Sequence, residues 1–265
     1  VLLPSPHIPI IGIEIGMIFI TCDCRFADAD CQNVAPDHLR WVMIKNHQMK
    51  TRIPKIAIAG AGPAGSSLAI RLANNGFAVT LIERETFPRH KLCGEFISPE
   101  CLRHFDGLGV LDEMLAAGGE RIFETRFYDR KGNGFAVPSR VLDDRGFALS
   151  LSRSEMDRIL LDKARECGVK VFEGTKIAEV EVDQGRIAGL RVRGKDRQEK
   201  YVGADLFIDA TGRNTALSKL VERKLSDLPK AKPQPSVAVG FKNHFTGVEV
   251  APGTCEIFFF PGGYG

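Results

Sequence analysis

A short glycine-rich segment constrains this chain more than any other feature. Residues 60–65 (Gly-Ala-Gly-Pro-Ala-Gly) follow the apolar run 56–59 and precede a stretch whose apolar residues recur at helical spacing. In this setting the first glycine permits a tight turn, the second lets backbone approach a diphosphate, and the third lets the helix pack closely on the strand. The amides and the positive dipole end of the helix then face the phosphates. The residues predicted to hold them are Gly60, Gly62, Pro63, Ala64 and Gly65.

An acidic residue stands one βαβ unit later. The predicted helix has Pro63 in its first turn and stops at Gly76, and residues 77–82 form a second, nearly all-apolar strand that ends at Glu83. A carboxylate there can accept hydrogen bonds from both hydroxyls of an adenosine ribose, and it repels a 2′-phosphate. The sequence therefore predicts a bound FAD or NAD rather than NADP.

Length and composition restrict the function further. The 265 residues are 44% hydrophobic and 26% charged, with a net charge of +3 and no basic run, so no nucleic-acid partner is expected. Seven irregularly spaced cysteines indicate a reducing compartment rather than a disulfide framework. The cysteines and histidines before residue 48 lack the paired spacing of a zinc site, and we expect no metal. The apolar stretch 8–20 is too short to span a bilayer.

Periodicity along the chain predicts an α/β fold of the doubly wound, Rossmann-like type with a three-layer ββα character. The capping box formed by Ser152 and Glu155 begins a helix that runs to Gly168. Short strands follow as an antiparallel meander that crosses over into a strand at 206–210. Strands are further predicted at 123–128, 135–137, 170–172, 177–182, 186–192, 200–202, 237–241 and 256–260.

Three further segments carry a resemblance to a known family. They are residues 87–95 (FPRHKLCGE), 151–157 (LSRSEMD) and 205–215 (DLFIDATGRNT). They resemble geranylgeranyl reductase-like oxidoreductases, in the superfamily that includes para-hydroxybenzoate hydroxylase and the FAD-dependent monooxygenases. Residues 258–265 resemble a Pro-Gly-Tyr turn beside the active site of that family, although an ordinary turn explains them equally well.

The resemblance implies FAD as the cofactor, with NAD(P)H or another reductant as electron donor. Arg153 is implied to reach the cofactor, although an exposed arginine at a helix start is the alternative. Cys93, in a basic segment, is a weak catalytic candidate, and a structural cysteine against the flavin is favoured over it. The other residues implied to contact FAD are Arg84, Lys91, Gly94, Asp209, Ala210, Thr211 and Gly212.

These features divide the chain into five parts. Residues 1–48 form a non-native or disordered extension, because Met49 opens directly before the first strand; a genuine packed extension is the alternative. Residues 49–122 and 151–225 form the two parts of the FAD-binding domain. Residues 123–150 form a substrate-domain hairpin, and 226–265 form substrate-domain strands that we expect to be truncated.

The function implied by the resemblance is transfer of a hydride from reduced flavin to a lipophilic isoprenoid or polyketide-type substrate. An FAD-dependent aromatic or polyketide monooxygenase is the alternative, and so is an inactive fragment of either. The segment Ala210-Thr211-Gly212, where hydroxylases commonly have Ala-Asp-Gly, favours the reductases. The resemblance is compatible with a cytoplasmic protein and with peripheral association with a membrane, and it leaves the oligomeric state open.

Overall fold

The computed structural model describes residues 52–225 and 239–265. Five helices and fourteen strands are described within these ranges. The helices are α1 (Pro63–Asn74), α2 (Pro99–Gly107), α3 (Leu111–Ala116), α4 (Arg153–Glu166) and α5 (Ala216–Leu225). The strands are β1 (Lys55–Ala59), β2 (Ala78–Ile82), β3 (Phe96–Ile97), β4 (Glu120–Ile122), β5 (Glu124–Tyr128), β6 (Gly134–Pro138), β7 (Ala148–Ser150), β8 (Lys170–Phe172), β9 (Lys176–Asp183), β10 (Arg186–Arg193), β11 (Glu199–Val202), β12 (Leu206–Asp209), β13 (Thr254–Phe260) and β14 (Gly263–Tyr264).

A parallel sheet of four strands forms the centre, in the order β12-β1-β2-β8. Strand β1 lies between β12 and β2, and its last residue, Ala59, is in register with Asp209 on one side and Ile82 on the other. Because the three strands are parallel, their carboxyl ends meet at one edge of the sheet. The loops that follow these strands are therefore neighbours in space.

Both faces of this sheet are covered, which is why β1 reads as a continuous apolar run. Ile56 and Ile58 lie in the core shared with α1 and α4. Ala57 and Ala59, on the opposite face, belong to a second core with the antiparallel meander β11-β10-β9 and α5. The predicted three-layer α/β fold with a meander crossover is confirmed.

A second sheet, ordered β14-β13-β5-β6, contains the predicted hairpin. Strands β5 and β6 pair antiparallel, and β13 pairs with β5 in parallel. Aromatic side chains stack across it: the ring centroids of Phe127 and Phe135 are 5.2 Å apart, and those of Tyr128 and Phe258 are 4.8 Å apart. A third, small sheet has the order β3-β7-β4, and its strands come from before α2, before the hairpin and after the hairpin in the chain.

Some of the predictions made from the sequence differ from the structure or cannot be compared with it. Residues 239–241 are not in a strand, contrary to the prediction for 237–241, and residues 237–238 lie outside the described ranges. The extension 1–48 and its cysteines also lie outside them. No helix of the described residues is long and apolar enough to cross a membrane.

Candidate cofactor site

Three loops converge at the carboxyl edge of the central sheet. The Gly60 N–H donates to the carbonyl of Ile82 at 2.7 Å, and the Ala210 N–H donates to the carbonyl of Ala59 at 2.7 Å. These bonds continue the strand pairing into the loops that follow β1 and β12. The glycine-rich loop, Glu83 and the turn at 209–212 are therefore brought together, as the sequence predicts for a doubly wound sheet.

The three glycines of the loop differ in the space available around the Cα atom. Gly60 has a φ of +99°, and a Cβ there would lie 2.4 Å from the carbonyl oxygen of Ala210. A Cβ at Gly65 would lie 1.9 Å from the carbonyl oxygen of Gly60. The positive φ of Gly60 and the lack of room for a Cβ at Gly60 and Gly65 explain why glycine occupies both positions.

Gly62 has more room around its Cα than the other two glycines. A Cβ at this position would have one neighbour within 4 Å, the Arg89 Nη2 at 3.7 Å. Helix α1 begins at the next residue, Pro63, and its first intrahelical bond runs from the Ser66 N–H to the Gly62 carbonyl at 2.9 Å. The backbone at Gly62 and the first turn of α1 are thus accessible to a phosphate group.

Glu83 is buried, with 6% of its surface exposed, and its carboxylate holds two backbone amides. Oε2 accepts from the Ala61 N–H at 2.9 Å, and Oε1 accepts from the Glu85 N–H at 2.9 Å. A carboxylate has about four acceptor positions, so two remain for the hydroxyls of a ribose. The contact with Ala61 joins the predicted ribose-binding residue to the phosphate-binding loop.

The Asp209 carboxylate is bound by its own turn and by the start of helix α5. Oδ1 accepts from the Thr211 N–H at 2.9 Å and its hydroxyl at 2.6 Å, and Oδ2 accepts from the Ser218 N–H at 2.8 Å and its hydroxyl at 2.7 Å. Burial opposes ionisation, but these hydrogen bonds outweigh it and lower the pKa of Asp209. A cofactor contact by the segment Asp209 to Gly212 would therefore involve the backbone of the turn rather than this carboxylate.

Arg153 is not an exposed helix-start residue. Its guanidinium donates to Asp157, one helical turn later, through Nε and Nη2, both at 2.9 Å, and Asp157 is 1% exposed. Burial lowers the pKa of Arg153, but the ion pair with Asp157 outweighs burial and the net shift is upward. Arg89 also lies on Asp157, with Nη2 at 3.2 Å from Oδ2.

The remaining predicted residues lie in the segment after β2. The Cys93 thiol accepts from the Glu95 N–H at 3.4 Å and is in contact with the guanidinium of Arg153. Cys93 is partly buried, whereas Gly94 and Lys91 are exposed. Arg84 is exposed and forms a 3.1 Å ion pair with Glu85. The structure thus brings Cys93 next to Arg153, but Arg84 and Lys91 extend into solvent, and their cofactor contacts stay predictions.

Glu95 connects this segment to a distant part of the chain. Its carboxylate contacts the Lys242 ammonium and His244 Nε2, the latter at 3.1 Å, and Oε1 also accepts from the Arg153 N–H at 3.1 Å. Burial opposes the charge, but the bonds from Lys242, His244 and Arg153 together lower the pKa of Glu95. Its φ of +59° places it in the left-handed region, which non-glycine residues seldom adopt.

The sequence interpretation missed Arg89, Glu95 and Asp157 as site residues. Asp157 follows Arg153 at the four-residue spacing that joins side chains on a helix, so that spacing could have indicated the pair. Arg89 and Glu95 stood in the segment that carried the family resemblance, but only the fold shows what their side chains contact.

The described residues fit an adenine dinucleotide. The open backbone at Gly62 suits a diphosphate, and Glu83 keeps free acceptor positions for a ribose. Arg89 Nε is buried and has no hydrogen-bond partner in the described part of the chain, so a donor remains available beside the loop. Within residues 52–225 and 239–265, no group of three or more His, Cys, Asp or Glu side chains could hold a metal ion.

Comparison with known proteins identifies the family. A model of the FAD binding domain matches residues 54–254, which include all three loops of the site. The chain belongs to this FAD-binding family. FAD, rather than NAD, is thus the dinucleotide that the family binds, and its contacts with the glycine-rich loop and Glu83 stay predictions.

Proteins similar to this chain in sequence include flavin-dependent halogenases. The chain is 32% identical over 218 residues to flavin-dependent halogenase armH1 of Armillaria mellea, covering 78% of this chain and 40% of that protein. It is 33% identical over 160 residues to tryptophan 2-halogenase of Chondromyces crocatus, covering 60% of this chain and 30% of the relative. The chain thus spans well under half the length of these relatives.

Solved structures of flavin-dependent enzymes are also similar to this chain. The myxobacterial chondrochloren halogenase CndH matches with a TM-score of 0.57 and 32% identity, over 62% of this chain and 38% of that one. The p-nitrophenol 4-monooxygenase PnpA of Pseudomonas putida matches with a TM-score of 0.56 at 17% identity, which supports the fold alone. The predicted resemblance is therefore confirmed at the level of the FAD-dependent oxidoreductase and monooxygenase superfamily, while the relatives at 30% identity or more named here are halogenases rather than geranylgeranyl reductases.

Proposed function

We propose that this chain is the FAD-binding part of a flavin-dependent oxidoreductase of the halogenase and monooxygenase type, acting on an electron-rich aromatic substrate. The observation that carries the proposal is the convergence of three loops at one sheet edge, with Gly62 open and Glu83 bound to the Ala61 amide. The similarity to tryptophan 2-halogenase and other flavin-dependent halogenases supports the reaction class.

In this proposal the chain binds and orients FAD. Gly62 and the first turn of α1 bind the diphosphate, and Glu83 binds the adenosine ribose. The flavin, once reduced, supplies two electrons for reaction with dioxygen. We propose NAD(P)H as the source of those electrons, either directly or through a separate reductase.

A second candidate is the reduction of a lipophilic alkene by flavin. Thr211 favours this second candidate, because it has a neutral hydroxyl where hydroxylases commonly have an acid. The Thr211 hydroxyl donates to Asp209 at 2.6 Å and accepts from the Ala216 N–H at 2.7 Å. Thr211 thereby closes its own turn.

One experiment separates the two candidates. The protein loaded with FAD is reduced under anaerobic conditions and divided between two mixtures, one containing oxygen, bromide and an indole or phenol, and the other an isoprenoid alkene without oxygen. We expect a brominated or hydroxylated aromatic product in the first mixture and unchanged alkene in the second. Free reduced FAD without protein is the control. A saturated alkene together with an unmodified aromatic would overturn the proposal in favour of the reductase.

A further inference from the structure

Two arginines share one buried carboxylate beside the phosphate-binding loop. Asp157 is 1% exposed and accepts two hydrogen bonds from Arg153 at 2.9 Å, while the Arg89 guanidinium reaches it at 3.2 Å. Among the described residues, Asp157 is the carboxylate with which both guanidinium groups form ion pairs. Because both arginines stay charged at any physiological pH, the cluster has one positive charge in excess.

Of the two arginines, Arg89 is the one with unused donors. Arg153 makes a bidentate contact with Asp157 and also lies beside the Cys93 thiol. Arg89 reaches Asp157 through Nη2, its side chain is 11% exposed, and its buried Nε finds no partner among the described residues. A buried donor of a charged group without a partner is costly, so this site is set up to gain an acceptor.

The position of Arg89 indicates what that acceptor is. Its Nη2 is 3.7 Å from the point where a Cβ would stand on Gly62, the loop glycine that is open toward a ligand. The Phe87 ring lies 4.7 Å from the Arg89 guanidinium carbon, and this contact favours the observed position of the side chain. Its planar set of donors matches phosphate oxygens.

We infer that Arg89 binds the diphosphate of the dinucleotide beside Gly62, and that Asp157 is the positioning residue that holds Arg89 and Arg153 in place. This inference rests on the proposed function for its cofactor. It assigns a cofactor contact to a residue outside the glycine-rich loop. It also explains why a fully buried acid on α4 faces the glycine-rich edge of the sheet.

The test compares ligands that differ only in their phosphates. Binding of ADP and of adenosine to the 265-residue chain is measured by calorimetry for the parent, Arg89→Gln and Arg89→Lys. We expect Arg89→Gln to weaken ADP binding about ten- to hundredfold, the effect of losing hydrogen bonds between charged groups, and to leave adenosine binding within about twofold. Arg89→Lys is expected to recover part of the ADP affinity, because the charge remains while the planar donors are lost.

Arg158→Gln is the matched control, since Arg158 follows Asp157 on helix α4 but pairs with Glu155 and Asp162 of its own helix. It should bind both ligands as the parent does. Unchanged ADP affinity in Arg89→Gln would overturn the inference, as would an equal loss of ADP and adenosine, which indicates a structural role only. If the parent bound neither FAD nor ADP, the cofactor assignment itself would fail. A failed halogenation test with an intact ADP effect would leave this inference standing.

Discussion

The Glu83 carboxylate has both a structural and a predicted ligand-binding role. It fixes the glycine-rich loop through the Ala61 amide, and it is predicted to accept the hydroxyls of the ribose. The contact with Ala61 fixes the glycine-rich loop through a buried side chain, so the phosphate site is preorganised. Preorganisation of this kind reduces the ordering cost of binding.

Glu83→Ala is therefore expected to weaken FAD binding by roughly 1 to 3 kcal/mol, the range for hydrogen bonds to a charged group, with the loss of loop order adding to the loss of the ribose contact. Flavin fluorescence titration measures the affinity. Glu85→Ala is the matched control, because that neighbouring carboxylate is 54% exposed and pairs with Arg84 at the surface. Equal FAD affinity in Glu83→Ala and the parent would refute the ribose role.

Asp209 gives a prediction that depends on pH. Asp209→Asn should lower the free energy of unfolding by about 2 kcal/mol at pH 7, because an amide nitrogen cannot accept from Ser218. The pKa of Asp209 is lowered in the folded protein, so its ionised form stabilises the fold above the unfolded pKa, and this stabilisation is lost as the pH falls through the folded pKa. The difference between parent and variant is thus expected to shrink below about pH 4. Denaturant unfolding at several pH values checks this, and a difference that stays constant into strong acid would speak against it.

At the scale of elements, helix α4 positions the charged cluster. It begins after Ser152, whose hydroxyl accepts from the Glu155 N–H at 3.2 Å, and its first two turns present Arg153 and Asp157 toward the loop after β2. Only half of the predicted capping box forms, because the Glu155 side chain pairs with Arg158 at 3.1 Å. The Ser152 cap thus fixes the start of helix α4 and with it the position of Arg153.

Ser152→Ala should destabilise the protein by about 1 kcal/mol, the usual cost of losing an N-cap hydroxyl. Thermal or chemical unfolding measures the change. Ser154→Ala, in the first turn of the same helix, is the matched control and should change stability by less than about 0.5 kcal/mol. A Ser152→Ala variant as stable as this control would show that the cap contributes nothing.

At the scale of the whole molecule, the site is built from segments that are far apart in the chain but meet at one sheet edge. Binding of FAD across them should therefore stabilise the fold as a unit. At about a hundredfold excess over Kd the gain is about 2.7 kcal/mol, which corresponds to a rise in Tm of roughly 5 to 10 °C for a chain of this size.

The same measurement with NADP should give no rise, because Glu83 repels a 2′-phosphate. Thermal unfolding with each dinucleotide at matched concentration checks both statements. A rise with NADP equal to that with FAD would contradict the role of Glu83 in selecting the cofactor.

The sequence predicted those features whose causes are local. The strand before Gly60, the helix that starts at Pro63 and the acid at position 83 each follow from residues within a few positions of one another. The parallel pairing of β13 with β5 and the contact of Arg89 with Asp157 join residues far apart in the chain, and neither leaves a periodic pattern. The strand predicted around residues 237–241 is absent from residues 239–241, because an apolar run indicates burial without giving a partner for its backbone.

Because β1 lies between β2 and β12, one of its two neighbours is synthesised long after it. Its Lys55 N–H donates to Asp205 at 2.8 Å, a residue 150 positions later, and β12 follows immediately. At a synthesis rate of about 5 to 20 residues per second, the first strand waits roughly 8 to 30 s for that neighbour. During this interval the backbone groups on one edge of β1 are unpaired, and the contact between Gly60 and the Ala210 backbone has not formed. The nascent chain thus acquires its cofactor-binding edge only after β12 has been synthesised.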